Sequence, residues 1–390
     1  MNVDIEFFSD DPMDNVLSCL KFDFPKVIFL GYAEEDMDRA AKSTVAAFLK
    51  SEKIGVKSLE FIALPEGKLD KIEAALTDIV QRETAAGNQC YFDLTGGEEL
   101  ALAAAGVVSD ELDVPMHEID LLEDEVRIQA RPELYTDLTK RDYRLNIEEY
   151  LNLHEGVVEI HMLKKKNKNH RSPERKARIQ LLYKVANRMG KKWNRICLAL
   201  AKLCSGQGET IYAVEKELKA AARVIHEPVE IFWDNLEQLQ QKGVLKRCVW
   251  EGAMATVEFY DGQDREILCD PGAVLEHMTY WQVMEDPEVN DCVIGYHINW
   301  VGEGDPMSVY EPGPDVVNEV DVIYMRKNIP TFISCKNKLV EGNHPLYELE
   351  TVADRFGGTL VRKVLVAKGG ITKGTAERAQ EMDIIVTDTL

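Results

Sequence analysis

The chain of 390 residues contains no C-x-x-C pair, although it holds eight cysteines, at positions 19, 90, 197, 204, 248, 269, 292 and 335. Its histidines lack the spacing of a zinc site. No disulfide framework or structural zinc is therefore expected, and the cysteines read as reduced, mostly buried thiols of a cytoplasmic protein. No apolar run approaches the roughly 20 residues of a membrane-spanning helix, so no membrane partner is expected. A basic signal-peptide start is missing, since Asp4 and Glu6 occupy that region. A G-x-G-x-x-G with a following acid is also missing, which argues against a nucleotide-dependent oxidoreductase. Positive charge is scarce: 46 Lys and Arg stand against 68 Asp and Glu, a net charge of -22. Such a molecule repels nucleic acid on average, so any contact with it needs a local basic region.

What is present is ordinary for a globular protein, at 45% hydrophobic and 29% charged residues. The length provides core for two or three domains. Residues 1–140 alternate strand and helix patterns. Strands are expected at 3–8, 26–30, 59–63, 90–93 and 114–119, and helices at 15–20, 37–51, 69–84 and 98–109. The alternation predicts a doubly wound, mainly parallel, Rossmann-like sheet, whose ligands bind at the carboxyl ends of the strands. Residues 123–129 add a terminal strand pair. The loops at those ends are Ser9-Asp10-Asp11-Pro12, Gly31-Tyr32 and Leu94-Thr95-Gly96-Gly97.

Residues 141–265 differ in character. Between 161 and 195 there are 13 Lys or Arg and one acid, Glu174, opening with Lys164-Lys165-Lys166-Asn167-Lys168. Such a stretch is either a solvated linker and helix or a strip that faces nucleic acid. Helices are then expected at 193–204, 211–221 and 229–242, and a hairpin at 245–250 and 255–260. Helices followed by a small hairpin describe a winged helix, a DNA reader in some proteins and a spacer or dimerisation element in others.

Residues 266–390 return to strand and helix alternation. Here Asn318-Glu319-Val320-Asp321-Val322-Ile323-Tyr324 and Thr331-Phe332-Ile333-Ser334-Cys335-Lys336 form a hairpin pattern centred near Lys327 and Asn328. Alternation puts Asp321 near Ser334 and Glu319 near Lys336, with Val320, Val322, Ile333 and Cys335 pointing into a core. Upstream, Pro271 and Gly272 start a helix with Glu276 one turn in. Carboxylates beside a lysine at the end of a buried hairpin suit metal-assisted phosphodiester cleavage.

The helical Glu276, the Asn318-Glu319-Val320-Asp321 strand and Phe332-Ile333-Ser334-Cys335-Lys336 together resemble the PD-(D/E)xK nuclease domain of CRISPR ancillary nucleases that carry a CARF sensor. Leu346–Thr351, Arg355-Phe356-Gly357-Gly358 and Lys363–Ala367 resemble the helix, glycine pair and strand that follow the lysine there. The resemblance implies Asp321 as main metal ligand and Glu276 as a further one, with the Cys335 carbonyl completing a site for Mg²⁺ or Mn²⁺. It implies Lys336 as the residue that orients water or stabilises developing charge, and Glu319 as an assistant through water. Ser334 departs from the pattern, since an acid usually stands there. A hydroxyl is a poor ligand for a hard cation, so a single, weakly held metal is expected.

Phe92-Asp93-Leu94-Thr95-Gly96-Gly97 is similar to the ligand turn of CARF domains, which bind cyclic oligoadenylates across a homodimer axis. Glycines there let backbone approach a phosphate. The resemblance implies Ser9, Asp10, Asn15, Thr95, Gly96 and Gly97 as the ligand-binding set, and cyclic tetra-adenylate as activator. Glu98 and Glu99 follow the glycines where the family often has lysine. The expected protein is a homodimeric nuclease of type III CRISPR defence that cleaves single-stranded RNA or DNA, or nicks supercoiled DNA. The domains expected are a sensor at 1–140, a linker and winged-helix-like middle at 141–265 and a nuclease at 266–390. The alternative is a CARF-controlled, winged-helix DNA-binding regulator without nuclease activity.

Overall fold

A computed structural model describes residues 1–158, 172–206, 208–300 and 318–389. The basic run 164–168 lies outside the described residues. Among the described residues, fifteen strands form three sheets. In the first, β1 (Asn2–Phe7), β2 (Lys26–Gly31), β3 (Ser58–Ala63), β4 (Gln89–Asp93), β5 (Met116–Asp120) and β6 (Glu125–Ala130) lie in the order β3-β2-β1-β4-β5-β6. All pairs are parallel except the β5–β6 hairpin. The order reverses between β1 and β4, which is where a doubly wound sheet opens a crevice. The helix expected over 37–51 is two helices, Glu34–Ala40 and Thr44–Lys50. Ser43 separates them, because its Oγ accepts the Ala46 N–H and caps the second one.

The middle sheet holds β8 (Thr210–Val214), β9 (Arg247–Glu251) and β10 (Met254–Glu258) in the order β8-β10-β9. The helix expected over 211–221 begins only at Glu215. Residues 210–214 form a strand instead, because Ile211 and Ala213 are buried while Tyr212 and Val214 are exposed, a period of two. The sequence of helix Lys191–Leu203, β8, helices Glu215–Val224 and Val229–Gln241, then β9 and β10, is a winged-helix arrangement.

The third sheet has the order β15-β14-β13-β12-β11-β7. It comprises β7 (Gly156–Val158), β11 (Val289–Trp300), β12 (Asn318–Arg326), β13 (Ile329–Lys336), β14 (Arg362–Ala367) and β15 (Ile384–Thr387). The edge strand β7 comes from the segment assigned to the middle by sequence, so the winged-helix unit is inserted between two strands of this sheet. One hydrophobic cluster runs from Leu17 and Phe29 through Leu145 and Tyr150 to Phe332 and Phe356. The first and third sheets thus share a core, while the middle has its own around Trp193, Phe232 and Phe259. Among the described residues, no helix is long and apolar enough to cross a membrane.

Candidate active site and effector loops

The β12–β13 hairpin closes through Lys327 and Asn328, whose φ values are 52° and 66°. Two consecutive left-handed residues make the tight turn whose twist matches paired strands, and asparagine tolerates that conformation. Asn328 is fully buried, and its Oδ1 accepts the Leu145 N–H at 2.8 Å. The register Val322↔Ile333 is the last ladder pair before the strands part. Beyond it, Asp321 takes up a backbone donor that the ladder no longer uses. Its Oδ2 accepts the Cys335 N–H at 2.6 Å and the Ser334 hydroxyl at 3.3 Å. Lys336 Nζ stands 3.6 Å from the same oxygen. Burial pushes the Asp321 carboxyl above its usual range, and Lys336 and the Cys335 N–H pull it back.

Across the sheet, pairs Ile294↔Val322 and Tyr296↔Val320 place Gly295 opposite Asp321. Gly295 has φ 59° and no side chain, so it leaves Asp321 open to a cavity. Val322, Ile333 and Cys335 share one apolar cluster with Leu275, but Val320 packs in the opposite cluster with Tyr296 and Ile298. The expected common face therefore holds for three of those four residues, and the left-handed Gly295 marks the place where the facing changes.

Glu276 lies in the first turn of helix Ala273–Val283, which covers this face. The helix touches β13 where Thr279 Oγ1 meets Cys335 Sγ at 3.6 Å. Burial, then Asp321, pushes the Cys335 thiol far up, so it is no nucleophile. Glu276, Glu319 and Asp321 line one cavity of about 500 Å³ with His277 and Arg265. Glu319, Asp321, Ser334 and Lys336 line a second, of about 530 Å³, with Tyr347 and Glu348. The two acids of β12 therefore border both. Among the described residues the three carboxylates do not close into a set of three ligand atoms within 4.8 Å; the trio that does is elsewhere, Asp4, Asp93 and His117. His297 on β11 faces Glu319, with Nε2 3.7 Å from the carboxylate. The middle domain reaches the site too: Asn337 Nδ2 donates to Asn194 Oδ1 at 3.1 Å and to the Pro271 carbonyl at 3.0 Å.

At the switch point of the first sheet, the loops after β1 and β4 touch. A Cβ on Gly96 would meet Ser9 and Asp14 at 3.1 and 3.0 Å, and one on Gly97 (φ 125°) would strike Phe7 at 2.8 Å. Asn15 is buried, with Oδ1 accepting the Ser9 N–H at 2.7 Å and Nδ2 donating to the Ser9 carbonyl at 2.8 Å. Thr95 is likewise engaged within the fold. Its Oγ1 donates to Asp93 Oδ1 at 2.5 Å and accepts the Ile119 N–H at 2.9 Å. Both residues hold loops in shape. Ser9, Asp10 and Gly97 instead line an open cleft of about 660 Å³ with Tyr32 and Arg39.

Asp11, beside the expected ligand residues, joins the two outer domains: its Oδ2 accepts the Thr359 hydroxyl at 2.9 Å and the Thr359 N–H at 3.3 Å. A cavity of about 240 Å³ at this junction is lined by Asp11, Thr95, Asn328 and Thr359. The turn of the Asp321 hairpin and the effector loops thus border the same space.

No protein-family model matches the chain, and no curated protein matches it. Among solved structures the chain is similar to protein VC1899 from Vibrio cholerae at 18% identity and TM-score 0.68, covering 99% of this chain and 93% of that one. It is also similar to Can2 from Sulfobacillus thermosulfidooxidans, solved in complex with cyclic tetra-adenylate, at 14% identity and TM-score 0.64, with 99% and 93% covered. With the three sheet orders above, these likenesses show the fold expected from the sequence: a doubly wound N-terminal α/β domain, a winged-helix-like middle and a C-terminal α/β domain.

Proposed function

We propose that the chain is a CRISPR ancillary nuclease, a metal-dependent endonuclease that cleaves nucleic acid when a cyclic oligoadenylate binds its N-terminal domain. The observation that carries this reading is one hairpin with two ends. At one end Asp321 and Lys336 stand 3.6 Å apart over open cavities. At the other, Asn328 borders the cavity lined by Asp11 and Thr95. Paired strands are stiff, so a shift of the effector loops displaces the whole hairpin. The activator must bind the cleavage-competent arrangement better than the resting one.

Asp321, Glu276 and the Cys335 carbonyl make an all-oxygen donor set, which fits Mg²⁺ or Mn²⁺. Such an ion supplies Lewis-acid activation of water and stabilisation of phosphate charge. Lys336 opposes the rise that burial imposes on the Asp321 carboxyl and presents its ammonium to charge developing on the phosphate. Ser334 donates a hydrogen bond to Asp321 in place of a second carboxylate. The substrate is single-stranded RNA or DNA, or strands of supercoiled duplex. Exposed Lys184, Arg188, Lys191 and Lys192 of the middle domain, with Lys338 and Arg362, steer it. Ser9, Asp10 and Gly97 contact the activator, Gly96 keeps the two loops close, and Asn15 and Thr95 hold them. Cyclic tetra-adenylate, the ligand of Can2, is the first activator to try. Two chains form the homodimer whose axis crosses this cleft.

The DNA-regulator alternative is disfavoured by the middle domain's own surface. Helix Val229–Gln241 occupies the recognition position, yet its charged residues are Glu230, Asp234 and Glu237, all exposed and all acidic. In helix Pro173–Met189, Arg175 and Arg178 are spent on buried Asp264 at 2.7 and 2.6 Å.

The test is a panel of labelled single-stranded RNA, single-stranded DNA and supercoiled plasmid with Mn²⁺ or Mg²⁺, with and without cyclic tetra-adenylate. Cleavage of at least one substrate is expected with both additions. Tight, sequence-selective duplex binding with no cleavage would favour the regulator.

A further inference from the structure

Under the Leu94–Gly97 loop, one face of the first sheet encloses a polar group that the proposed function does not use. Glu6 pairs with Asp93 across β1 and β4, and Asp93 pairs with His117 across β4 and β5. Asp4, two residues before Glu6, shares its face. All four are buried, Asp4 and His117 completely. Among the described residues, neither Lys nor Arg pairs with any of these carboxyl groups; their one ionic neighbour is His117, 4.0 Å from Asp93.

Within this group the hydrogen-bonding atoms divide in a telling way. Asp93 Oδ1 is taken by the Thr95 N–H at 2.8 Å and the Thr95 hydroxyl, whereas its Oδ2 has no partner. Neither oxygen of Asp4 accepts a hydrogen bond; the neighbouring Ser18 hydroxyl meets His117 Nε2 at 2.9 Å and would have to turn away for that nitrogen to ligate an ion. His117 Nδ1 lies 2.9 Å from the Tyr135 hydroxyl, the kind of outer contact that orients a ligating imidazole. Asp4, Asp93 and His117 can each offer one atom such that all lie within 4.8 Å of one another. An orphaned buried carboxylate is costly unless a cation or proton compensates it. Two carboxylates and a neutral imidazole would balance one dication.

We propose that Asp4, Asp93 and His117 form a binding site for a divalent first-row transition ion inside the N-terminal domain, separate from the Asp321 site. Imidazole with carboxylates selects Zn²⁺ or Mn²⁺ over Ca²⁺. The ion anchors Asp93 from its free oxygen while Thr95 holds the other, so it stiffens the Thr95–Gly97 loop.

The test uses the full chain carrying Asp321→Ala, so that the C-terminal site contributes least. The protein is stripped with chelator, loaded with Zn²⁺ or Mn²⁺, freed of excess by gel filtration and assayed for metal per chain. About one equivalent is expected, with a melting temperature raised by roughly 5 °C when the ion is in large excess over its dissociation constant. Adding Asp4→Asn and His117→Gln should abolish both effects. Retention of that equivalent in the variant, or no retained metal in the parent, would overturn the proposal and leave protons as the sole compensation. Should the variant not fold, cobalt(II) loading of the Asp321→Ala parent decides. A hyperfine-shifted imidazole N–H resonance supports a histidine-ligated ion, and its absence contradicts one.

Discussion

Two strands of this molecule carry the same short pattern, an acid, an apolar residue and a second acid: Asp4-Ile5-Glu6 on β1 and Glu319-Val320-Asp321 on β12. Their surroundings differ in every respect that matters to charge. On β12 the pair borders two open cavities, and Asp321 meets a lysine, a backbone N–H and a hydroxyl. On β1 the pair is sealed in the sheet without a Lys or Arg partner among the described residues, and burial drives both carboxyls well above their usual range. Identical spacing therefore yields a lysine-partnered centre beside open cavities in one domain and a sealed, cation-poor one in the other. The local sequence does not decide between them. What decides is which strand the neighbouring residues come from: β13 brings Lys336, and β4 brings a third acid, Asp93.

If partnering by Lys336 is what makes the β12 pair reactive, Lys336→Ala and Asp321→Asn should each cost about 10²–10³-fold or more in cleavage rate. The fold should survive, as read by thermal melting. Equal cleavage by either variant would remove the distinction between the pairs. If the β1 domain controls the β12 site through Asp11, Thr359→Val should weaken the activator's stimulation by roughly 5–150-fold. Activator affinity, measured by calorimetry, should change far less. Unchanged stimulation would mean that control passes elsewhere.

Two smaller effects sharpen the contrast. Asn328→Gly keeps the left-handed turn but orphans the buried Leu145 N–H. A loss of about 1–3 kcal/mol in denaturant unfolding is expected. Asp14, against Gly96, has its carboxyl raised to about 6 from 3.8, chiefly by burial and then by Asp11 and Asp93, with the Ser9 hydroxyl opposing. The folded chain thus holds this proton more tightly than the unfolded chain. Its stabilising contribution is complete below the ordinary pKa and is lost as pH rises through about 6. Asp14→Asn should therefore melt above the parent at about pH 8, and the advantage should shrink toward about pH 5. An advantage constant with pH would contradict this.

Much of the fold was legible because its signals are local. The alternation of residues 1–140 announces the parallel sheet, and the Arg326–Ile329 turn with alternating neighbours sets the hairpin register. The β8 strand was missed because Tyr212 and Val214 are apolar yet exposed, which hides a period of two inside a helix-like composition. The links that join the domains were not legible at all. Asp11 to Thr359 and Asn328 to Leu145 each join residues far apart in the chain, whose meeting no local pattern announces. Asp4 and Glu6 looked like the polar residues that rule out a signal peptide, since nothing nearby shows that they point inward.

The central claim is that a ligand in the first domain commands the Lys336 site in the third. The most direct measurement is single-turnover cleavage of a labelled single strand in Mn²⁺ by the parent chain and by Lys336→Ala, each with and without cyclic tetra-adenylate, alongside activator binding. The account predicts cleavage only by the parent with activator, and equal activator binding by both proteins. Cleavage by Lys336→Ala, or cleavage by the parent that is indifferent to the activator it binds, would contradict it.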